Sequence, residues 1–426
     1  MKRLIVAVLL VALIAPMMVF SADVDDLDPV KNVVLTTVGD YNMPLTARAK
    51  AMGGAGIAFP GRADSFFMNP AGFAHRVNVL LPSAEVTLYH PYDLLKPGKN
   101  GGNSIVDNII EASQIADEDA RTKAMIGAGQ EFLRSLKKGE GKLLDVNASV
   151  GLNIKGFAFG VNVNDSIHTF GVGKTGGLDS AIFDELNVTA NLGFAWRFHL
   201  GDKVWIDAGA NWRPTYKAYS YSLDGNTLIG MASGSTSTEG GNPADELLNT
   251  LPVAAGYALP FDLGLNVSGS WWSVGVVGRN ILGTYNMTIF DSINDFYPQW
   301  SSVFGKKDFQ IETPWSIDLG FGFRWDNDFF KPTLVCDIVD VNGLFTAKEF
   351  NGREMLNHIK AGAELRLLSF LDIRGGFNQG YWSVGAGLDL AIVKIDVAYF
   401  WQEFGEKLGD YGLDGLSIRV NVGYDR

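Results

Sequence analysis

Along much of this chain apolar and polar residues alternate strictly, in segments of about ten residues. From Leu186 to Phe198 the residues Leu186, Val188, Ala190, Leu192, Phe194, Trp196 and Phe198 share one face. Asn187, Thr189, Asn191, Gly193, Ala195 and Arg197 share the other. A strand has a side-chain period of two, so such a segment is a pleated ribbon, greasy on one side and polar or small on the other. Trp315, Ile317, Leu319, Phe321, Phe323 and Trp325 oppose Ser316, Asp318, Gly320, Gly322 and Arg324 in the same way. Leu416, Ile418, Val420, Val422 and Tyr424 oppose Ser417, Arg419, Asn421 and Gly423. Trp205 alone breaks the alternation of the segment Val204 to Arg213.

The pattern predicts strands near 83–90, 146–155, 157–164, 186–199, 203–216, 261–271, 272–282, 314–325, 332–341, 357–367, 371–378, 381–390, 393–401 and 415–424. Fourteen is an even number, as bacterial single-chain barrels prefer. The first, third, fifth and seventh connections are long, at 91–145, 165–185, 217–260 and 283–313. Those between them are short, and the alternation fails only at 379–380, where a long connection is due. Tight turns on one side and long loops on the other mark an all-β, up-and-down transmembrane barrel with its short turns in the periplasm. Trp315 and Trp325, at the two ends of one apolar face, suit interfacial girdles.

Residues 1–22 carry Lys2 and Arg3, an apolar run from Leu4 to Phe20, and Ser21-Ala22, which reads as a secretory signal peptide. The rest holds no apolar run near the ~20 residues of a spanning helix. Membrane residence therefore falls to strands, and the outer membrane of a diderm bacterium is the expected location. Without the leader, 33 Lys+Arg face 47 Asp+Glu, a net of −14, which argues against nucleic acid. Cys336 is the single cysteine, so no internal disulfide exists, and it reads as a small apolar strand residue.

Residues 23–82 precede the barrel proper, 83–426. Their centre runs Ala47-Arg48-Ala49-Lys50-Ala51-Met52-Gly53-Gly54-Ala55-Gly56 and continues through Met68-Asn69-Pro70-Ala71-Gly72-Phe73. Small residues allow close backbone approach, and Asn-Pro-Ala-Gly reads as a tight turn or helix start. Such a segment suits a plug inside the lumen. The stretch resembles the N-terminal hatch of the FadL/TodX family of outer-membrane transporters of hydrophobic compounds, and the related PorV-type proteins share it. The resemblance implies a fourteen-stranded barrel and passive uptake of long-chain fatty acids or other apolar solutes. Gating is then expected at Gly53, Gly54, Asn69, Pro70, Ala71 and Gly72. The PorV-type alternative is a structural or protein-shuttle component of secretion that conducts no solute. Many such barrels end in an aromatic residue read by the barrel-assembly machinery; here Tyr424 is followed by Asp425 and Arg426.

Residues 103–137 carry apolar residues at helical spacing and are expected as an extracellular insertion. It either packs on the barrel rim or caps the mouth. Residues 285–309 gather aromatics, among them Phe290, Phe296, Tyr297, Trp300 and Phe304, which form a greasy ligand surface, an interfacial girdle or a loop core. Gly171 to Thr175 lacks the first glycine of a phosphate loop. Trp272-Ser273-Val274-Gly275 lacks the first glycine of a nucleophile elbow. The five histidines have no metal-ligand spacing, and Asp23, Asp25, Asp26 and Asp28 fit no calcium loop. Glu364, Arg366, Asp318 and Arg324 are expected to pair across the lumen. Neither an enzyme nor a cofactor is expected. The expected partners are a fatty-acid-like solute and outer-membrane lipid, with the barrel a monomer.

Overall fold

The computed structural model describes residues 46–60, 62–74, 77–96, 103–135, 139–171, 181–220, 223–224, 248–249, 251–325, 330–346, 352–404, 408–409 and 411–425. The leader and the acidic stretch from Asp23 to Asp28 lie outside them.

Fourteen antiparallel strands make the wall. The first four are β1 (Val77–Tyr89), β2 (Gly139–Ile154), β3 (Phe157–Gly171) and β4 (Ala181–Leu200). Four bent strands follow. β5 runs through Val204–Trp212, Thr215–Ser220 and Leu223–Asp224, and β6 through Val253–Ala258 and Phe261–Ser268. β7 joins Trp272–Ile281 to Thr284–Phe290, and β8 joins Phe309–Glu312 to Ser316–Arg324. The rest are β9 (Phe330–Ile338), β10 (Ile359–Leu367), β11 (Leu371–Asn378), β12 (Tyr381–Leu390), β13 (Val393–Glu403) and β14 (Gly412–Asp425). Each pairs with its neighbours. β1 closes the cylinder against β14, from Asn78 opposite Asp425 to Tyr89 opposite Gly415. Closure leaves the described cylinder no free edge at membrane depth, the condition for crossing a bilayer with strands.

All fourteen expected strands are present. The short connection at Gln379-Gly380 is a tight hairpin with φ of 49° and 89°, a geometry that suits a two-residue loop. The long connections are shorter than expected, because β3, β4, β5, β6 and β7 continue to Gly171, Ala181, Asp224, Val253 and Phe290. The reason is burial on both sides. Val253, Ala254, Ala255 and Gly256 are all buried, so no apolar-polar alternation marks that stretch.

Trp315 and Trp325 both point outward and are exposed. Ten residues of strand separate them, roughly 25 Å of height for a strand tilted by about 40°, which matches the apolar band of an outer-membrane barrel. Trp205, the exception in the pattern, lies beneath the guanidinium of Arg197, 5.9 Å from its ring centre.

Above the upper girdle β5 to β8 bend together, at 213–214, 259–260, 282–283 and 313–315. Pro214, Pro260 and Pro314 cannot donate to a ladder. Inside the bend Arg213 is buried, 2.6 Å from Asp262, and donates to Asn280 Oδ1 at 2.6 Å. The rows beyond the bends form a tall outer rim, whereas β9 to β13 stay short.

The rim's outward faces are covered by the chain's own inserts. α1 (Ala47–Ala51) belongs to the lumen, but α2 (Pro91–Leu95), α3 (Ile105–Ser113) and α4 (Glu118–Ser135) lie against the outside of β1 to β3. Ile105, Val106 and Phe132 pack on Leu88, Leu143 and Leu144. Ser104 caps α3 with a reciprocal Asp107 bond, so the helix start is specified locally. The insertion thus packs on the wall instead of capping the mouth. α5 (Ile293–Gln299) covers β6 and β7, and α6 (Val341–Thr346) and α7 (Gly352–Asn357) join β9 to β10. Replacing Val106 by alanine removes two buried methyl groups, about 1.5 kcal/mol. The expected result is trypsin cleavage in α4 about tenfold faster, with the barrel's unfolding unchanged.

Candidate functional site

The segment from Thr46 to Ala74 lies in the bore. Thr46 caps α1 by accepting from Ala49 N at 3.2 Å. A chain reversal follows at Gly53 and Gly54, with φ of 65° and 76°, values that suit glycine. Two 3-10 turns, Arg62–Phe66 and Pro70–Phe73, complete the hatch. The second starts as its sequence suggests. Asn69 accepts from Ala71 N at 3.0 Å, and Pro70 occupies the first helical position.

Of the residues expected to gate, Asn69, Pro70, Ala71 and Gly72 are buried against one side of the wall. Gly53 and Gly54 border a cavity of about 80 Å³ lined by both charged and aromatic residues. The two groups sit at opposite ends of the hatch and make no shared site.

The hatch touches the wall through glycines. A Cβ built on Gly209 would lie 2.4 Å from Pro70 O, one on Gly264 2.2 Å from Asn69 Oδ1, and one on Gly376 2.2 Å from Gly53 N. Gly151 and Gly160 meet the ring of Phe66, and Gly193 meets Phe73. Gly275 and Gly320 face Ile57, Gly322 faces Phe59, Gly362 faces Met52 and Gly385 faces Ala51. These positions fall on β2 to β8 and β10 to β12, ten of the fourteen strands. Hatch backbone packs directly on the wall at Gly209, Gly275, Gly362 and Gly376, where an added Cβ has no room, and hatch side chains fill the space over the other glycines.

Polar contacts finish the attachment. Asp337 on β9 accepts from Gly56 N at 2.7 Å and Ile57 N at 3.1 Å. Ser383 on β12 accepts from Gly53 N and donates to Ala51 O, each at 3.0 Å. Glu85 on β1 accepts from Ala47 N at 3.0 Å and pairs with Lys50 at 2.9 Å. Asn153 donates to Phe73 O, Asn266 to Ala58 O, and Arg279 to Phe67 O and Met68 O. Arg48 bridges Asp64 of the hatch at 2.7 Å and Glu364 of β10 at 2.8 Å. Burial opposes its charge, but Glu364 and Asp64 outweigh burial and hold the guanidinium above its ordinary range.

Three of the expected lumen charges pair, but with the hatch or between adjacent strands instead of across the bore. Glu364 binds Arg48 and Arg374, Arg366 binds Asp372, and Asp318 binds Arg279. Arg324 donates to Thr333 and covers the ring of Phe59 at 4.4 Å.

The aromatics of 285–309 divide across the sheet. Tyr285 and Phe309 join Tyr219, Ala254, Met287 and Ile311 on the inner face of the rim. Phe290 and Phe296 lie with Val303 against the outer face. Tyr297, Trp300 and Phe304 stay exposed on the outer side. Sequence reasoning missed the wall's side of the hatch: Glu85, Asp337, Ser383 and the glycine positions. Its one visible signal was the placing of Gly193, Gly209, Gly320 and Gly322 on polar faces.

The model of a protein family described as type IX secretion system membrane protein PorP/SprF matches residues 179–402, more than half of the chain. A comparison with curated proteins gives no match. Among solved structures, the CymD monoaromatic hydrocarbon channel is similar at 13% identity and a TM-score of 0.44, covering 90% of this chain and 97% of that one. The Pseudomonas putida toluene transporter TodX is similar at 11% and 0.41, covering 89% and 97%. A Pseudomonas aeruginosa FadL homologue is similar at 12% and 0.39, covering 89% and 98%. Identities and scores this low say nothing of cargo. A closed fourteen-strand cylinder with girdled ends is an outer-membrane barrel, and the chain belongs to the PorP/SprF family of type IX secretion system membrane proteins.

Proposed function

We propose that this protein is a sealed outer-membrane component of type IX secretion. It presents its extracellular inserts and its rim to other parts of that apparatus and passes no cargo through its own bore. One observation carries this reading: the hatch is seated on glycines of ten strands and tied to the wall by buried polar contacts. Movement of such a plug breaks backbone and side-chain contacts on most sides at once. A cavity of the bore is bordered by Lys50, Glu85, Lys142, Asp145 and Glu185 as well as by Tyr89, Phe400 and Trp401, so an apolar solute there would lie against several buried charges.

A lock on the hatch tests it. A Cβ on Gly322 would sit 3.3 Å from Ala58 Cβ, close to the separation a disulfide spans once the ring of Phe59 turns aside. The protein carrying Ala58→Cys and Gly322→Cys, with Cys336→Ser, is expected to support secretion equally when oxidised and when reduced. Secretion that stops on oxidation and returns on reduction would overturn the sealed-platform reading.

The second reading is passive transport of fatty-acid-like compounds with gating at Asn69 and Pro70. The apolar inner face of the rim, with Tyr219, Tyr285, Met287 and Ile311, favours it. Under that reading the same oxidation blocks uptake of an apolar solute by whole cells.

A further inference from the structure

The loop 291–308 lies on the outer face of the bent rim and builds a platform of rings there. Trp300 stands edge-on to Tyr216 of β5, with ring centres 6.4 Å apart, and Tyr216 donates its hydroxyl to Trp300 O at 3.0 Å. Phe304 lies 5.1 Å from Tyr257 of β6. Val303 is fully buried beneath, so the loop is held from below and its other side faces outward. That side presents Tyr297, Trp300 and Phe304 at 79%, 55% and 58% exposure. The exposed pair Lys306-Lys307 follows directly. The loop also carries three carboxylates: exposed Asp291 at its start, Asp295, which accepts from Gln299 at 2.6 Å, and Asp308, which accepts from Ile289 N at 2.8 Å.

Height decides what meets this surface. Tyr257 is four residues above Phe261 on the same strand, and Phe261 stacks on Trp212 beside the bend, in the upper girdle. Four residues rise by roughly 13 Å at most, and less with tilt. A headgroup layer is about 5–8 Å deep on each side of the hydrocarbon. The platform therefore stands in the outer headgroup layer and just above it, continuous with the girdle. The rings are in the wrong place for acyl chains. They are well placed for the flat faces of sugar rings, and two ammonium groups alongside suit phosphate.

We infer that the aromatic platform of loop 291–308 is a binding site for the phosphorylated sugar headgroup of an outer-leaflet glycolipid. The rings cover the saccharide and Lys306 and Lys307 take the phosphate. The site lies outside the bore, and its existence does not depend on whether the hatch moves.

The test uses the purified full barrel in phosphatidylcholine nanodiscs, with a small fraction of phosphorylated lipid A or of its dephosphorylated form. Native mass spectrometry reads which lipid stays bound. The wild type is expected to retain phosphorylated lipid A preferentially. Lys306→Gln with Lys307→Gln is expected to weaken that retention about thirtyfold, from roughly 1 kcal/mol for each lysine near a charged lipid surface. Trp300→Ala with Phe304→Ala is expected to weaken both forms of lipid A. Lys203→Gln, in a turn at the periplasmic end, serves as the control and should change nothing. Equal retention of phosphatidylcholine and lipid A by the wild type overturns the inference. So does an unchanged lysine variant, and so does displacement by inorganic phosphate at equal concentration, which would leave only an anion site.

Discussion

Replacing Gly376 by leucine is expected to lift the hatch out of its seat while leaving the cylinder closed. A Cβ at this position would meet Gly53 N at 2.2 Å and Met52 C at 2.3 Å, both backbone atoms. Neither side yields easily. β11 is hydrogen-bonded along its length to β10 and β12, and the hatch backbone is pinned there by Ser383. Overpacking of this kind costs about 3 kcal/mol or more, which raises the undocked fraction roughly a hundredfold. Conductance in planar bilayers should therefore rise, and trypsin should begin to cut near Arg48 and Lys50. Gly375 supplies the control within the same strand. It points to the other face, where the nearest atom to an added Cβ is Ser383 O at 3.9 Å. Gly375→Leu should leave the pore closed. If the two variants conduct alike, the glycine seat is not what holds the hatch.

The second large effect is expected at Arg374, whose side chain has no exposed surface. Its guanidinium reaches Glu364 at 2.7 Å, Asp372 at 2.7 Å and Asp396 at 2.5 Å. It joins β10, β11 and β13 and passes over Gly387 of β12, at the short side of the wall. Arg374→Met leaves buried carboxylates without that counter-charge. Breaking such a buried cluster from one side costs about 3–5 kcal/mol, because the remaining charges have lost their water and their partner. Urea unfolding in liposomes, followed by tryptophan fluorescence, should show a midpoint shift of that size. Arg374→Lys should recover less than half, since a single ammonium cannot face three carboxylates as a planar fork does. The hatch should loosen as well, because Glu364 also receives Arg48. An unchanged midpoint in Arg374→Met would show that water replaces the guanidinium at no cost, and that this part of the bore is wetter than its burial suggests.

Where one face of a strand meets lipid and the other meets the bore, the pattern was legible. In β4, Leu192, Phe194, Trp196 and Phe198 remain exposed to the membrane, while Asn187, Thr189 and Asn191 are buried within. The upper parts of β5 to β8 were not legible. Ala218 and Tyr219 are adjacent, face opposite ways and are both buried, one under loop 291–308 and one inside the rim. Once both faces are covered by the chain itself, polarity no longer distinguishes them. The hatch was legible as a segment of small residues ending in Asn69-Pro70-Ala71-Gly72, but its seat was not. Gly385 and Gly387 share the inward face of β12, and only Gly385 touches the hatch.

The number of strands, their inward and outward faces, the membrane they suit and the presence of a plug all follow from local rules. A period of two, a short turn and a small-residue run are each written in neighbouring residues. Which residues hold the plug is decided by pairs far apart in the chain, such as Arg48 with Glu364 and Gly56 with Asp337. So is the folding of loop 291–308 onto Tyr216 and Tyr257. Closing the sheet into a cylinder brings these groups together, and the distance between two side chains across a bore depends on every strand between them.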